Sequence, residues 1–163
     1  MMRLALTLGF ALVVSAVASS ASAQVTAARF SITIDGYELA VVSSVSSLGS
    51  YSEVIESTSS GPGGVLVVRR VPGKTRARDV VLKRAFSPDT TLNAWREAVE
   101  LGDLAAAIKS VTLTGYNTTG EPVVRYHLEN AWPSTLEVFT DQTTGLLMET
   151  VTLVCDRIQR VSP

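Results

Sequence analysis

The sequence predicts a mainly β domain with one flanking α-helix, an α+β fold. Apolar and polar residues alternate with a period of two in short runs bounded by Gly, Pro, Asn and Asp, which is typical of half-buried strands. A single segment instead repeats apolar residues at helical spacings of three and four, at Leu92, Trp95 and Val99. The chain is therefore expected to pack one amphipathic helix against short strands.

The N-terminal segment is predicted to be a secretory signal peptide. Arg3 gives a short basic start, residues 4–17 are apolar, and Ala21-Ser22-Ala23 places small residues before Gln24, as at a signal peptidase site. This apolar run is shorter than the roughly 20 residues of a membrane-spanning helix, although including the small residues brings it close. We expect cleavage near Ala23-Gln24 and a secreted protein, extracellular or periplasmic, with an uncleaved membrane anchor as the alternative.

Residues 1–23 are thus assigned to the signal and residues 24–163 to a single domain, since 140 residues suffice for one core. The signal removes Arg3 from the chain's 14 basic and 15 acidic residues, leaving 13 against 15 and a net charge near −2. No specific nucleic-acid binding is expected from that balance. The one basic stretch is interpreted as a solvated strand-loop-strand or a contact between protomers; it contains Arg69, Arg70, Lys74, Arg76, Arg78, Lys83 and Arg84.

The first half of the domain reads as hairpins. Asp35-Gly36 predicts a tight turn after the first strand, because both residues tolerate positive φ. Strands over residues 51–58 and 65–71 flank a loop over residues 59–64 that is too rich in Gly and Ser to bury a core. Pro72-Gly73 predicts the next turn, before a strand over residues 80–84.

The helix is predicted from its capping residues. Ser87 is expected to accept a hydrogen bond from free amides, Pro88 suits the first helical position, and Asp89 complements the helix dipole. Gly102 is expected to end the helix in a left-handed conformation. Trp95 is interpreted as the core anchor between helix and sheet rather than a ligand platform.

The second half of the domain reads as a hairpin followed by a final strand. Residues 117–120, Asn-Thr-Thr-Gly, predict the turn, and the return strand covers residues 123–131. The last strand, residues 146–157, has apolar residues and threonines on both faces and is expected to be covered on both. Cys155, the only cysteine, excludes an intrachain disulfide and is placed on an apolar face of this strand.

A corner with a distinctive sequence ends the return strand at Asn130-Ala131-Trp132-Pro133. Three further blocks lie in order around it: residues 30–36 (FSITIDG), Pro72-Gly73 leading to residues 80–84 (VVLKR) and 92–95 (LNAW), and residues 148–153 (METVTL). These four blocks resemble the contractile tail tube family, the inner-tube proteins of long-tailed phages and related injection particles. The resemblance covers about residues 29–157.

The resemblance implies a β-sandwich or rolled sheet that joins its neighbours into a ring barrel. Rings, of six subunits by the resemblance, would stack into a hollow tube whose lumen passes DNA or protein cargo, so the expected partner is the chain itself. By the resemblance, the predicted subunit contacts are Gly61, Pro62, Gly63, Gly64, Arg69 and Arg70. The predicted core and corner positions are Trp95, Asn130, Trp132 and Pro133.

No catalytic, metal or cofactor site is predicted. The chain has one His and one Cys and lacks the spacings of zinc proteases, phosphate loops and nucleophile elbows. His127 could pair with Glu129 along one strand face, without a nucleophile in reach. Two alternatives to the tube subunit stay open: a monomeric secreted β-sandwich binding module and, as a third reading, a secreted enzyme.

Overall fold

The computed structural model describes residues 29–162, so the predicted signal segment and cleavage site lie outside the described residues. The strands are β1 (Arg29–Ile34), β2 (Tyr37–Val42), β3 (Ser44–Ser46), β4 (Ser50–Ser60), β5 (Leu66–Ala77), β6 (Val80–Ala85), β7 (Lys109–Tyr116), β8 (Pro122–Thr140), β9 (Leu147–Val154) and β10 (Arg157–Val161). The helices are α1 (Thr91–Glu100) and α2 (Leu104–Ala107), with a short 3₁₀ turn at Pro62–Gly64. In this part of the chain no helix is long and apolar enough to cross a bilayer.

Strand β8 joins two antiparallel sheets by giving one half to each. Its first half lies between β7 and β10, in a first sheet of order β2-β1-β7-β8-β10. Its second half pairs with β9, in a second sheet of order β3-β6-β9-β8. Among the described residues, β4 and β5 pair with each other alone. The predicted mainly β architecture with flanking helix is confirmed.

The hydrophobic core lies between the two sheets and is closed by α1. Alternate residues of the strands point inward, as the period of two requires. Trp95 on α1 is only 4% exposed, and its indole N–H donates to the Ala107 carbonyl at 2.7 Å, so the ring packs apolar atoms and satisfies its one polar group. The buried core residues are Ile32, Val42, Val80, Leu82, Leu92, Trp95, Val111, Leu113, Leu128, Ala131, Val151 and Leu153.

The predicted end of the return strand at the Trp-Pro corner is wrong. β8 continues to Thr140 and bends at Asn130, which takes φ 53°. The Asn130 side-chain amide donates to the Asp156 carboxylate at 2.8 Å, and the Asp156 N–H donates to the Glu129 carbonyl at 3.0 Å. The same corner divides the predicted last strand into β9 and β10. Both β8 and its partner segment therefore pass from one sheet to the other at this corner.

The predicted turn at Pro72-Gly73 is also wrong, because β5 runs through it to Ala77. Ser52 pairs with Thr75 while Val54 pairs with Pro72, so β4 has one residue fewer than β5 at this point. A bulge interrupts the ladder of hydrogen bonds, so it tolerates a proline, which has no N–H to donate. The hairpin formed by β4 and β5 is therefore longer than the sequence indicated.

The helix begins later than its capping residues predict. α1 starts at Thr91 rather than at Pro88. Ser87 accepts from a free amide as predicted, the Asp89 N–H at 3.3 Å. The Asp89 carboxylate in turn accepts from the Thr91 N–H at 3.1 Å and from its hydroxyl at 2.6 Å. Those hydrogen bonds lower the pKa of the Asp89 carboxyl. Gly102, with φ 75°, ends the helix as predicted, and Asp35 and Gly36 form the predicted turn with φ 48° and 87°.

Candidate assembly surfaces

The hairpin of β4 and β5, residues Ser50–Ala77, projects from the sandwich, and we call it the hairpin arm. Every residue of β4 is exposed, as is all of β5 except the half-buried Gly73 and Ala77. Its strands are held to each other by ladder hydrogen bonds rather than by a core. An isolated two-stranded ribbon is only marginally stable in water, so the arm lacks the cover that stabilises the other strands.

Both faces of the arm carry exposed apolar side chains. Cross-strand pairing places Ile55 with Val71 on one face and Val54 with Pro72 on the other. Val54 is 67% exposed and Leu66 is 69% exposed, in contrast with the nearly complete burial of the core. Contiguous exposed apolar surface is typical of a protein interaction site.

The tip of the arm is a compact turn made by the four predicted contact residues Gly61, Pro62, Gly63 and Gly64. The Gly61 N–H donates to the Val65 carbonyl at 2.8 Å, and Gly63 and Gly64 take φ 80° and 77°. A Cβ on Gly61 would lie 3.1 Å from a Val67 methyl group. Glycine therefore lets the two strands pair up to Ser60 and Leu66 without a wide loop.

The charged side chains of the arm are partly neutralised within it. Arg70 pairs with Glu56 at 2.9 Å and Arg76 with Glu53 at 3.3 Å. Arg69, the other predicted contact residue, forms no ion pair with any described residue. Of the two neighbouring arginines, Arg69 is thus the one whose charge is available to a partner.

Arg84 does not belong to the exposed basic stretch in which the sequence placed it. It is 6% exposed and pairs through Nε with the Glu149 carboxylate, which is 1% exposed, across the β6-β9 ladder. Its Nη2 is buried without a hydrogen-bond partner among the described residues. Glu149 was missed, although a glutamate in the apolar alternation of Leu147, Val151 and Leu153 was the signal for a buried partner.

The sandwich also presents open sheet edges. Within residues 29–162, the outer edges of β2 and β10 in the first sheet and of β3 in the second have no strand partner. Unpaired edge N–H and C=O groups are ready to pair with another chain. The two ends of each sheet are different strands, which suits a head-to-tail contact between copies.

The predicted corner residues are brought together around the change of sheet. Asn130 is exposed and Trp132 half-buried, while Pro133 is buried and its carbonyl accepts from Arg96 of α1 at 3.2 Å. Trp132 lines a groove of about 240 Å³ with Val99, Leu104, Ala107 and Ile108. The corner thereby joins the helix to the second sheet and leaves an apolar groove beside it.

The side chains considered for catalysis are engaged elsewhere. His127 Nδ1 lies 3.4 Å from the Thr112 hydroxyl, and Glu129 accepts from the Gln159 amide at 3.0 Å, so the suggested pairing of His127 with Glu129 is wrong. Among the described residues no three His, Cys, Asp or Glu side chains are grouped to hold a metal ion. A groove of about 510 Å³ beside α1 is lined mainly by apolar side chains of that helix and its neighbours.

A β-sandwich with open sheet edges and an uncovered projecting hairpin defines the class of the protein: a structural subunit built to contact other chains. The sequence profile of the T4-like virus tail tube protein gp19 family matches residues 26–159. The chain belongs to that family, which is structural. No curated protein sequence matches the chain significantly.

Solved structures of the same fold come from contractile injection particles. A chain of the PVC sheath-tube complex, an extracellular contractile injection system in its extended state, superposes with a TM-score of 0.72 at 22% identity, covering 87% of this chain and 94% of that one. A chain of the anti-feeding prophage tube-terminating cap gives 0.69 at 21% identity, covering 92% and 100%. A chain of the PVC sheath/tube terminator gives 0.70 at 22% identity, covering 88% and 100%. The tail-tube-like fold is confirmed.

Proposed function

We propose that the protein is a structural subunit that joins copies of itself into rings and stacks them as a hollow tube. The observation that best supports this is the hairpin arm, whose apolar side chains are exposed on both faces. Apolar surface of this kind is stabilised when another chain removes it from water. Membership of a tail tube family makes a second copy of the same chain the natural partner.

Ring closure follows from the open edges of the sandwich. Head-to-tail pairing of unlike edges generates a closed ring when the rotation between copies closes, and closure removes the edges that would otherwise aggregate. Six subunits per ring is the number that the tail tube resemblance implies. The ring then needs no internal disulfide, since each subunit is held by its neighbours.

The outward face of the second sheet is suited to line the lumen. Buried Val151 and Leu153 fix the inward face of β9, so its neighbours on the other face point outward. There Thr150 stands opposite Lys83 on one side and Glu137 on the other. This row of side chains is polar and carries both signs of charge. Such a surface is readily hydrated, as the lumen of a conduit for DNA or protein cargo requires.

The test is electron microscopy of the exported mature protein, with particle size followed by light scattering over a range of concentrations. We expect rings and hollow tubes for the unaltered protein. Replacing residues 58–68 by Asn-Gly closes the arm at the Ser57 and Arg69 pair. This variant is expected to lose stacked tubes because the outer half of the arm, with the exposed side chains of residues 65–68, is gone.

A matched control shortens a different turn. Replacing residues 117–121 by Asn-Gly trims the β7-β8 hairpin, and this variant is expected to assemble as the unaltered protein does. A protein that stays monomeric at every concentration would contradict the proposal and identify instead a secreted binding module on a tail tube fold.

We also propose export before assembly, on the basis of the N-terminal sequence. Expression of the full chain in a bacterial host, followed by N-terminal sequencing of the exported fraction, is expected to give a protein beginning at Gln24. Recovery of the intact N terminus in the membrane fraction would show an uncleaved anchor, and recovery only in the cytosol would contradict export.

A further inference from the structure

The charges of the domain are divided unequally between the hairpin arm and the rest of the domain, which we call the body. The arm has four basic residues, Arg69, Arg70, Lys74 and Arg76, against two acidic ones, Glu53 and Glu56, for a net charge of +2. Taking these from the domain's 13 basic and 15 acidic residues leaves nine basic and 13 acidic for the rest, a net charge of −4. Copies of the chain therefore attract one another arm to body.

One face of the arm combines apolar side chains with a free cation. Because strand residues alternate between faces, Val67, Arg69 and Val71 lie on the same face, with Ile55 opposite Val71. Arg69 has no ion-pair partner among the described residues. On the other face the guanidinium of Arg70 is already paired with Glu56. The Arg69 face is accordingly the one that needs an acidic, apolar partner.

A surface with those properties lies where α1 ends and α2 begins. Leu101 is 76% exposed, Leu104 is 67% exposed and Ile108 is 42% exposed. Leu104 and Ile108 line the groove of about 240 Å³ that has Trp132 in its lining, and Leu101 lies three residues before Leu104. We call these residues and this groove the leucine patch.

Carboxylates border the leucine patch. Glu97 and Glu100, both exposed, lie on the last turns of α1, and exposed Asp103 follows in the turn to α2. Glu100 is shared with Arg96 at 3.2 Å, and Asp103 accepts from the Ala106 N–H, while Glu97 forms no ion pair with a described residue. The patch thus offers apolar contact and negative charge side by side.

We propose that the leucine patch is the docking site for the hairpin arm of a second copy of this chain, received through its Arg69 face. Leu101 and Leu104 then cover Val67 and Val71, and Arg69 lies against Glu97 and Glu100. This inference rests on the proposed self-assembly and adds to it the acceptor surface. Because the arm and the patch are different surfaces, the contact is head-to-tail and propagates from copy to copy.

The test uses charge reversal on each side of the contact and then mixes the variants. Arg69→Glu and the double variant Glu97→Lys/Glu100→Lys are each expected to lower the sedimentable assembled fraction on the order of tenfold or more, since like charges then face each other. In an equimolar mixture each arm finds an oppositely charged patch on the other variant, so assembly is expected to return. This rescue also shows that both variants are folded.

Matched substitutions separate the contact from general surface effects. Leu104→Ser removes an exposed leucine of the patch and is expected to weaken assembly, whereas Leu146→Ser removes a leucine that is 58% exposed elsewhere and is expected to leave it unchanged. Arg70→Gln, on the paired face of the arm, is expected to change assembly less than twofold.

The outcomes distinguish this inference from the proposed function. Tubes from the unaltered protein together with normal tubes from Glu97→Lys/Glu100→Lys would overturn the docking site and leave the tube subunit intact. Loss of assembly in both charge variants without rescue on mixing would also overturn it. Failure of the unaltered protein to assemble would overturn both.

Discussion

The sandwich and the hairpin arm are both built from antiparallel strands that carry apolar residues, yet only the sandwich buries them. Val80 and Leu153 are 0% exposed in the sandwich, whereas Val54 and Leu66 are 67% and 69% exposed in the arm. Apolar residues in a strand therefore do not indicate by themselves whether the same chain covers that strand. The difference indicates that the apolar side chains of the body are buried when the chain folds, whereas those of the arm are buried only when chains associate.

Ion pairs show the same division. Arg84 and Glu149 pair inside the body with side-chain exposures of 7% and 1%, while Arg70 and Glu56 pair on the arm with exposures of 74% and 55%. Removing one partner of a buried pair leaves a charge without water or counter-ion, whereas an exposed pair is screened by solvent. The two regions should thus respond very differently to the same substitutions.

The largest expected effect comes from the core anchor of the body. Trp95→Ala removes a nearly buried indole and its hydrogen bond to Ala107, and we expect the free energy of unfolding to fall by about 3–5 kcal/mol. Urea denaturation at one fixed protein concentration measures it. Trp132→Ala, at the half-buried tryptophan, is the matched control; an equal loss there would contradict the assignment of Trp95 as the anchor.

Breaking the buried ion pair is expected to have the next largest effect. Glu149→Ala leaves the Arg84 guanidinium unpaired in the core and should destabilise the fold by about 3 kcal/mol or more. Replacing both residues by apolar ones, Arg84→Met with Glu149→Leu, should restore most of that stability. On the arm, Glu56→Ala should lower stability by less than about 1 kcal/mol; equal losses at the two sites would refute the comparison.

The corner of β8 gives an intermediate effect. Asn130→Ala loses the hydrogen bond to Asp156 and places a less tolerant residue at φ 53°, so we expect a loss of about 1–2 kcal/mol. Asn130→Gly keeps the conformation and loses only the hydrogen bond, and it should be the milder of the two. Thermal unfolding of both variants, compared at the same concentration, separates backbone conformation from side-chain bonding.

Local signals in the sequence were sufficient for much of the fold. Alternation located most strands, the Asp35-Gly36 and Gly102 positions identified conformations that glycine or aspartate adopt readily, and helical spacing identified α1 with Trp95 inward. The family resemblance, based on four ordered blocks, supplied the architecture that alternation alone leaves open.

The errors share a physical cause, which is that long-range pairing decided the outcome. Pro72-Gly73 reads locally as a turn but is absorbed by a bulge opposite Ser52 and Val54. The Trp-Pro corner reads as a strand end, but Asp156, 26 positions further along, holds the bend and lets β8 continue. Arg84 reads as part of a basic surface because its partner Glu149 is 65 positions away. The candidate contact residues were predicted through the resemblance, and the leucine patch had no local motif.

Substitutions in the arm should leave the stability of the body almost unchanged. Val54→Ser and Val68→Ser remove side chains that are 67% and 59% exposed, so the free energy of unfolding should change by less than about 0.5 kcal/mol each. On the Arg69 face of the arm, Val67→Ser and Val71→Ser should reduce assembly measured by light scattering. A large loss of stability without assembly would show that the arm folds back onto its own body.

The smallest expected effect is chemical, at the single cysteine. Burial, followed by the nearby charges of Asp156 and Asp79, raises the pKa of the Cys155 thiol from its ordinary value of 9.0 to about 11. Since the thiolate is the reacting species, alkylation at pH 8 should be about a hundredfold slower than for an exposed thiol. A cysteine placed on the arm, Ser57→Cys in a Cys155→Ser background, provides that reference. In the unfolded chain this thiol has the lower pKa and ionises at a lower pH. The raised pKa therefore contributes to the free energy of unfolding below pH 9, and this contribution is lost as the pH rises towards 11. Equal alkylation rates at the two positions would show that the segment between β9 and β10 is open to solvent. The contrast between a covered sandwich and an uncovered arm would then not extend to the last strands of the sandwich.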